Sequence, residues 1–136
     1  MRVAIDKDAF KPTRAHDTDA GLDLYSPVDC VVPAMGSAVI HTGVHVEVPA
    51  CCAGLLVSKS GLNVNSSITS TGLIDENFSW EIVVKLYNHG TVPVNILRGQ
   101  KVSQLVIIPV RYEKVKVVEA VMGGGRWNNG FGSTGP

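Results

Sequence analysis

The feature that most constrains the fold is a repeated alternation between short apolar runs and turn-forming residues. Runs rich in Val, Ile and Leu are separated by Gly, Pro, Asn and Asp along most of the chain. β-Branched residues favour strands, and turn formers at this spacing are typical of a sandwich or barrel. No window keeps a helical apolar period, so the sequence predicts an all-β domain.

Ten segments have the composition expected of strands, and one helical turn is expected after Ser60. The predicted strands are Val3–Ile5, Leu22–Tyr25, Cys30–Val32, Ser37–Thr42, Val44–Val48, Gly54–Val57, Glu81–Asn88, Val92–Ile96, Val102–Pro109 and Lys114–Val118.

Length and charge limit the classes of function. The chain has 136 residues, 45% of them hydrophobic, which suits one compact domain. Twelve basic and twelve acidic residues give a formal net charge of +0, which argues against a general nucleic-acid binder. Three Cys without a C-x-x-C pattern, and no apolar signal-peptide core at the N-terminus, favour a reducing cytoplasm.

The C-terminal segment Gly123–Pro136 reads GGGRWNNGFGSTGP and differs in composition from the rest. Arg126 offers a planar fork of donors for phosphate, and Phe131 offers a ring that can stack on a base. Gly132 lets the backbone approach closely, while Ser133 and Thr134 add hydroxyl donors. We therefore predict a β core over 1–122 and a flexible nucleotide-clamping arm over 123–136.

Four further segments place polar residues within the strand pattern. Asp75 follows an apolar pair and is a candidate general base, with Phe78 three residues later. Each segment also allows a structural reading, such as a solvent-facing carboxylate, an ordinary polar turn or a Gln on an exposed strand face. The remaining candidates are Asp23, the turn Lys59–Ser60–Gly61 as a phosphate cradle, and Gln104.

These five segments, in this order, resemble the motifs of the trimeric dUTPases, with a likeness to short bacterial and phage members that covers essentially the whole chain. The matching stretches are Ala20–Leu24 for A-G-x-D-L, Ser58–Leu62 for P-R-S-G-L, Gly72–Phe78 for G-x-I-D-x-x-Y, Gly99–Leu105 for G-D-R-I-A-Q-L, and Arg126 with Gly130–Gly135 for the closing R and G-F-G-S-T-G.

The resemblance implies a jelly-roll-like β subunit and a homotrimer with active sites at the subunit interfaces. It implies hydrolysis of dUTP to dUMP and pyrophosphate with Mg²⁺, by attack of water on the α-phosphate. No protein side chain would bind the metal directly, and Asp23 would reach it through water. No nucleic-acid or membrane partner is implied.

The resemblance also assigns roles to single residues. Asp75 would orient or deprotonate the attacking water, and Phe78 would press on the deoxyribose. Backbone groups around Gly72, Leu73 and Ile74 would recognise the uracil edge. The substrate would be held further by Lys59, Ser60, Gly61, Gln104, Arg126, Phe131, Gly132, Ser133 and Thr134.

Several positions depart from the family pattern. Lys59 replaces an Arg, so a bidentate phosphate contact becomes a point charge. Phe78 replaces a Tyr, Ser58 replaces a Pro, and Gln100 replaces an Asp. Trp80 stands where the family usually has Gly, and its bulky ring is expected to repack the hairpin. These changes keep two alternatives open, a non-catalytic dUTP-binding regulatory module and, less favoured, a dCTP deaminase-type enzyme.

Overall fold

The computed structural model describes residues 1–121. This part of the chain contains nine strands and one short helix. They are β1 (Val3–Ile5), β2 (Gly21–Tyr25), β3 (Cys30–Val32), β4 (Ser37–Val46), β5 (Cys52–Ser58), α1 (Ser60–Ser66), β6 (Ile68–Ile74), β7 (Glu81–Asn88), β8 (Val94–Ile96) and β9 (Lys101–Pro109).

Seven strands form one curled antiparallel sheet in the order β1-β4-β7-β6-β5-β9-β2, and β3 pairs with β8 separately. Strand β6 joins the two halves, because Ile68–Ser70 pairs with β7 and the following residues to Ile74 pair with β5. The all-β jelly-roll type predicted from the sequence is therefore confirmed.

The core is one cluster of buried side chains to which both sheets contribute. In β7 every second residue is buried, and Ile82, Val84 and Leu86 are each 0% exposed. Leu24 of β2 and Leu105 of β9 extend the same cluster. Burying one such side chain contributes about 1.5–3 kcal/mol, so the alternation fixes which face of each strand points inward.

Strand β4 runs continuously from Ser37 to Val46, where the sequence predicted two separate strands. Gly43 has a φ of 64° at the register shift between His41 and His45. A Cβ atom there would lie 2.6 Å from the Cβ of Ala9, so only glycine fits. The Gly43 N–H donates to the Glu81 carboxylate at 2.7 Å, and the strand bends at this bulge without ending.

Other differences concern the ends of elements and two whole segments. Strand β6 was not predicted, because its Ser, Thr and Gly content resembles a polar break. The predicted strand Lys114–Val118 is wrong for the single chain: this segment pairs with no described strand, and Val115 is 94% exposed. Strand β8 begins at Val94, two residues late, and α1 extends beyond the single predicted turn.

Within residues 1–121, no helix is long and apolar enough to cross a membrane.

Candidate active site

Asp23 is the buried centre of an ionic cluster. Strand β2 points Leu24 into the core, so Asp23 faces the other side of the sheet, as the alternation predicts. The side chains of Lys59, Lys101 and Gln104 contact Asp23 on that side. As a result Asp23 is only 3% exposed. The solvent-facing reading of Asp23 is therefore wrong.

Three donors from two segments, the connection before α1 and strand β9, reach the Asp23 carboxylate. Lys59 Nζ lies 2.7 Å from Oδ1, and Lys101 Nζ lies 2.7 Å from Oδ2. Gln104 Nε2 donates to Oδ1 at 3.3 Å, which supplies the partner that a half-buried amide needs. Burial raises the pKa of Asp23, but the hydrogen bonds from Lys101 and Lys59 outweigh it and hold the pKa below its usual value.

Lys101 is the member of this cluster that the sequence reasoning missed. Strand alternation would place residues 101 and 104 on opposite faces. A bulge changes this, because Leu24 pairs with Ser103 while Tyr25 pairs with Lys101, which leaves Val102 as an extra residue. The one available signal was that Lys101 occupies the Arg position of the G-D-R-I-A-Q-L motif.

The Asp23 cluster makes stability depend on pH in a defined direction. The folded pKa is depressed, so the contribution is full above the unfolded pKa of about 4 and is lost as the pH falls through the lower folded value. We expect Asp23→Asn to lower the free energy of unfolding at pH 7 by about 2 kcal/mol, less than for a fully buried pair. The lysine side chains are 26% and 38% exposed, so water can partly replace the lost carboxylate.

Urea denaturation at pH 7 and pH 3 measures this effect. The gap in unfolding free energy between the wild type and Asp23→Asn should narrow at pH 3, because the carboxylate of the unfolded chain then takes up protons more readily than the folded one. Asp17→Asn, which changes an exposed surface carboxylate, is the matched control. An equal gap at both pH values would show that the ionised state of Asp23 does not contribute to stability.

Lys59, Ser60 and Gly61 lie together where β5 passes into α1. Lys59 has extended backbone and directly precedes the helix, and Ser60 and Gly61 are exposed. A Cβ atom built on Gly61 would meet nothing within 4 Å, so the space above it is open. The structure thus brings this predicted phosphate turn next to Asp23 and Gln104.

The edge of β6 that faces β7 is open beyond Ser70. The two strands pair only at Ile68, Thr69 and Ser70. Gly72 and Ile74 lie opposite β5 partners, and the other edge of this stretch, around Leu73, has no strand partner within residues 1–121. Unpaired backbone N–H and C=O groups on a strand edge can bind an extended or flat partner.

Asp75 leads a tight turn that follows β6. The Phe78 N–H donates to the Asp75 carbonyl at 3.2 Å, and Asn77 takes the left-handed φ of 67° that asparagine tolerates. Asp75 is exposed and lines a cavity of about 570 Å³. Phe78 packs partly against the core and lines a second cavity, of about 710 Å³.

Glu76 fixes this turn to the rest of the subunit. Its Oε2 accepts a hydrogen bond from the Tyr112 hydroxyl at 2.6 Å and another from the Cys51 N–H at 2.9 Å. These two contacts hold the pKa of Glu76 below its usual value, and the first of them raises the pKa of Tyr112 to about 12. No sequence motif pointed to this anchor.

Asp75 and Asp23 are not neighbours within one chain. Asp23, Gln104, Val57 and Thr71 form one row across β2, β9, β5 and β6. Asp75 follows Thr71 by four residues along the chain. With strands about 4.8 Å apart and residues about 3.3 Å apart, this register would place the Cα atoms of Asp23 and Asp75 roughly 20 Å apart in a flat sheet.

Two departures from the motif pattern form new hydrogen bonds, and a third does not have the effect that was expected of it. The Ser58 hydroxyl accepts from the Ser70 N–H at 3.0 Å and donates to its carbonyl at 3.2 Å, which ties β5 to β6. Gln100 Oε1 accepts from the Leu97 N–H at 3.0 Å and closes the turn before β9. Trp80 is 78% exposed, so it does not repack the hairpin as expected.

Five of the predicted site residues lie outside the described part of the chain. These are Arg126, Phe131, Gly132, Ser133 and Thr134.

Comparison with known proteins agrees with this arrangement of motifs. The sequence model of the dUTPase family matches residues 7–135. The chain is 40% identical over 134 residues to the deoxyuridine 5'-triphosphate nucleotidohydrolase of Clostridium acetobutylicum, a match that covers 96% of this chain and 92% of that protein. It is 41% identical over 127 residues to the enzyme of the same name from Alkaliphilus metalliredigens, covering 91% and 88%.

Solved structures agree as well. A mutant of the Staphylococcus bacteriophage 80alpha dUTPase with dUpNHpp superposes with a TM-score of 0.88 at 30% identity, covering 99% of this chain and 98% of that one. A mutant dUTPase from phage phi11 of S. aureus, in which coordination of a structural Mg(II) ion is described, gives a TM-score of 0.80 at 28% identity, covering 88% and 96%. With a family match across nearly the whole chain and relatives at 40% identity, this protein belongs to the dUTPase family.

Proposed function

We propose that this protein hydrolyses dUTP to dUMP and pyrophosphate. The observation that carries the proposal is the position of Asp75, an exposed carboxylate at the end of the open edge of β6. In this arrangement a nucleotide whose uracil binds at the β6 edge lies close to the Asp75 carboxylate, which can accept a proton from water. Equal amounts of dUMP and pyrophosphate from dUTP would support the proposal, and formation of dUDP and phosphate would contradict it.

The open edge of β6 suits a uracil ring. Uracil presents both a donor and acceptors along one side, and the backbone around Gly72, Leu73 and Ile74 offers the matching groups. A recognition edge of this kind rejects a base with the wrong pattern, because its own polar groups would stay unpaired. Gly72 also suits close packing, since a Cβ atom there would lie 3.0 Å from Leu56 Cδ1.

Selection of the sugar is assigned to Phe78. Its position in the turn after Asp75 and its partial packing against the core give the ring a firm backing. A ring pressed on the deoxyribose leaves no room for a 2′-hydroxyl, so UTP is rejected sterically. The Tyr hydroxyl of the family pattern is absent at this position.

The triphosphate is assigned to the cluster around Asp23. Lys59, Ser60, Gly61 and Gln104 supply an ammonium, a hydroxyl, an open backbone and an amide on one side of the sheet. The arm over 123–136 is assigned to closing the site, with Phe131 and Gly132 on the base, Arg126 on phosphates, and Ser133 and Thr134 near the γ-phosphate.

The donor chemistry fits a magnesium ion held by the substrate's own phosphate oxygens. No group of three His, Cys, Asp or Glu residues suited to a metal occurs within residues 1–121. Asp23 accepts three hydrogen bonds from described donors, which leaves about one of its four acceptor positions for a water. When bound, Mg²⁺ would offset phosphate charge and favour in-line attack.

A complete site requires more than one chain. The strand register would place the Cα atoms of Asp75 and Asp23 roughly 20 Å apart in a flat sheet, too far for both side chains to contact one α-phosphate and its attacking water. A homotrimer with sites at its interfaces resolves this, because Asp75 of one subunit then faces the Asp23 cluster of another. The arm would reach such a shared site from the same assembly.

A further inference from the structure

The cluster around Asp23 contains one more cation than its single carboxylate needs. Lys59 Nζ and Lys101 Nζ each lie 2.7 Å from a different oxygen of Asp23. The three side chains together carry a net charge of +1. Since the Asp23 side chain is only 4% exposed, its charge must be compensated inside the protein at all times.

The two lysines differ in how firmly the backbone holds them. Lys101 belongs to β9, where it pairs with Tyr25 at the bulge. Lys59 lies in the connection between β5 and α1, beside the exposed Ser60 and Gly61. A flexible ammonium in a connection can turn toward an incoming phosphate more readily than one that projects from a paired strand.

If Lys59 turned toward phosphate alone, a buried carboxylate would lose its partner, and the cost of that loss would oppose binding. Lys101 removes this cost because its ammonium stays on Oδ2, and the Gln104 amide stays on Oδ1. Neither contact depends on the position of Lys59.

We propose, on the basis of the proposed function, that Lys101 is a positioning residue that holds Asp23 and thereby releases Lys59 for the substrate's phosphates. Lys101 acts through Asp23 and Lys59 and does not itself contact the substrate. Without substrate, Lys59 pairs with Asp23. When Lys59 turns to the phosphates, Lys101 alone compensates the charge of Asp23.

The test compares Lys101→Met, Lys101→Gln and Lys101→Arg with the wild type in the full-length protein. Dissociation constants for a non-hydrolysable dUTP analogue with Mg²⁺ and steady-state KM and kcat for dUTP are measured. We expect Met and Gln to weaken analogue binding and raise KM about tenfold, with kcat little changed, because Lys59 then stays on Asp23. Arg should restore both values, since a guanidinium can also hold the carboxylate.

A double-mutant cycle separates this role from direct contact. In an Asp23→Asn background, Lys101→Met should have no further effect on analogue binding, because no carboxylate then competes with phosphate for Lys59. Additive losses would show that Lys101 binds phosphate itself, and an unchanged dissociation constant in both Lys101→Met and Lys101→Gln would show that it has no role. Lys7→Met, at an exposed position, is the control for removing one positive charge.

Failure of the proposed function gives a different result from failure of this inference. A wild type that binds the analogue but releases no pyrophosphate would contradict the reaction and leave the binding cycle interpretable. A wild type that does not bind the analogue would overturn both. Melting temperatures of all variants identify any that are unfolded, and the Gln and Arg variants keep polar groups at this position if Met is not tolerated.

Discussion

Replacing Asp75 by asparagine is expected to lower kcat for dUTP by about 10²–10⁴-fold, which is the usual contribution of a positioned general base. Asparagine keeps the size of the side chain but cannot accept the proton of the attacking water. Asp75 is exposed and holds its turn through its backbone carbonyl, so neither the fold nor dUTP binding should change. Rapid-quench turnover and analogue binding measure the two effects separately.

The control for this substitution is Glu76→Gln, which changes the next carboxylate in the same turn. Glu76 contacts Cys51 and Tyr112, so its replacement should alter stability more than chemistry. If Asp75→Asn turned over dUTP at the wild-type rate, Asp75 would not be the base. If it failed to bind the analogue, its role would be in binding.

Mixing two variants with impaired catalysis is expected to restore activity, since Asp23→Asn removes the carboxylate that is proposed to reach Mg²⁺ through water. Asp75→Asn and Asp23→Asn each damage a different part of the site, and those parts come from different subunits in the proposed trimer. In an equal mixture, half of the sites receive an intact Asp75 and half receive an intact Asp23. About a quarter of the wild-type activity should therefore return after the subunits exchange.

Co-expression of the two variants with different tags, followed by purification through both tags, gives the required mixed oligomers without homotrimers. One site in three then combines both intact carboxylates, so about a third of the wild-type activity is expected from the purified sample. Size-exclusion chromatography with light scattering reports their mass, which should be three times that of one chain. Mixed oligomers as inactive as either parent would show that Asp75 and Asp23 serve the same chain's site. A monomeric protein with full activity would also contradict the shared site.

Strands were predictable where one face is buried and the other is exposed to solvent. Strand β7 alternates strictly in burial, and its bounds, Glu81 and Asn88, were predicted without error. Strand β6 also alternates in burial at its start, but Ser70 is buried, Leu73 is exposed, and the strand contains Gly72. The stability of β6 comes from pairing on both sides, with β5 and β7, which a local pattern does not contain.

Backbone irregularities also could not be predicted from the sequence pattern. Gly43 was interpreted as a break between strands, whereas the structure uses its positive φ for a bulge inside β4. The bulge between β2 and β9 brings Lys101 to the same carboxylate as Gln104. Both features depend on which residues pair, so strand alternation alone could not have found them.

The residues of the candidate site were predictable from the sequence motifs, but their arrangement in space was not. The motifs named Asp23, Lys59, Gln104 and Asp75, and the structure places the first three in contact. The separation of Asp75 follows only from the strand order. The regulatory-module and deaminase-type alternatives share this geometry, so reaction products must distinguish them.

The most direct test of the account is pyrophosphate release from dUTP, dCTP, dTTP and UTP by the full-length protein, with Mg²⁺ and with excess EDTA. We expect turnover of dUTP alone, lost in EDTA, because the open β6 edge is proposed to select the uracil, Phe78 the sugar, and the metal to offset phosphate charge. Folded protein that binds dUTP without releasing pyrophosphate, or that releases ammonia from dCTP, would contradict it.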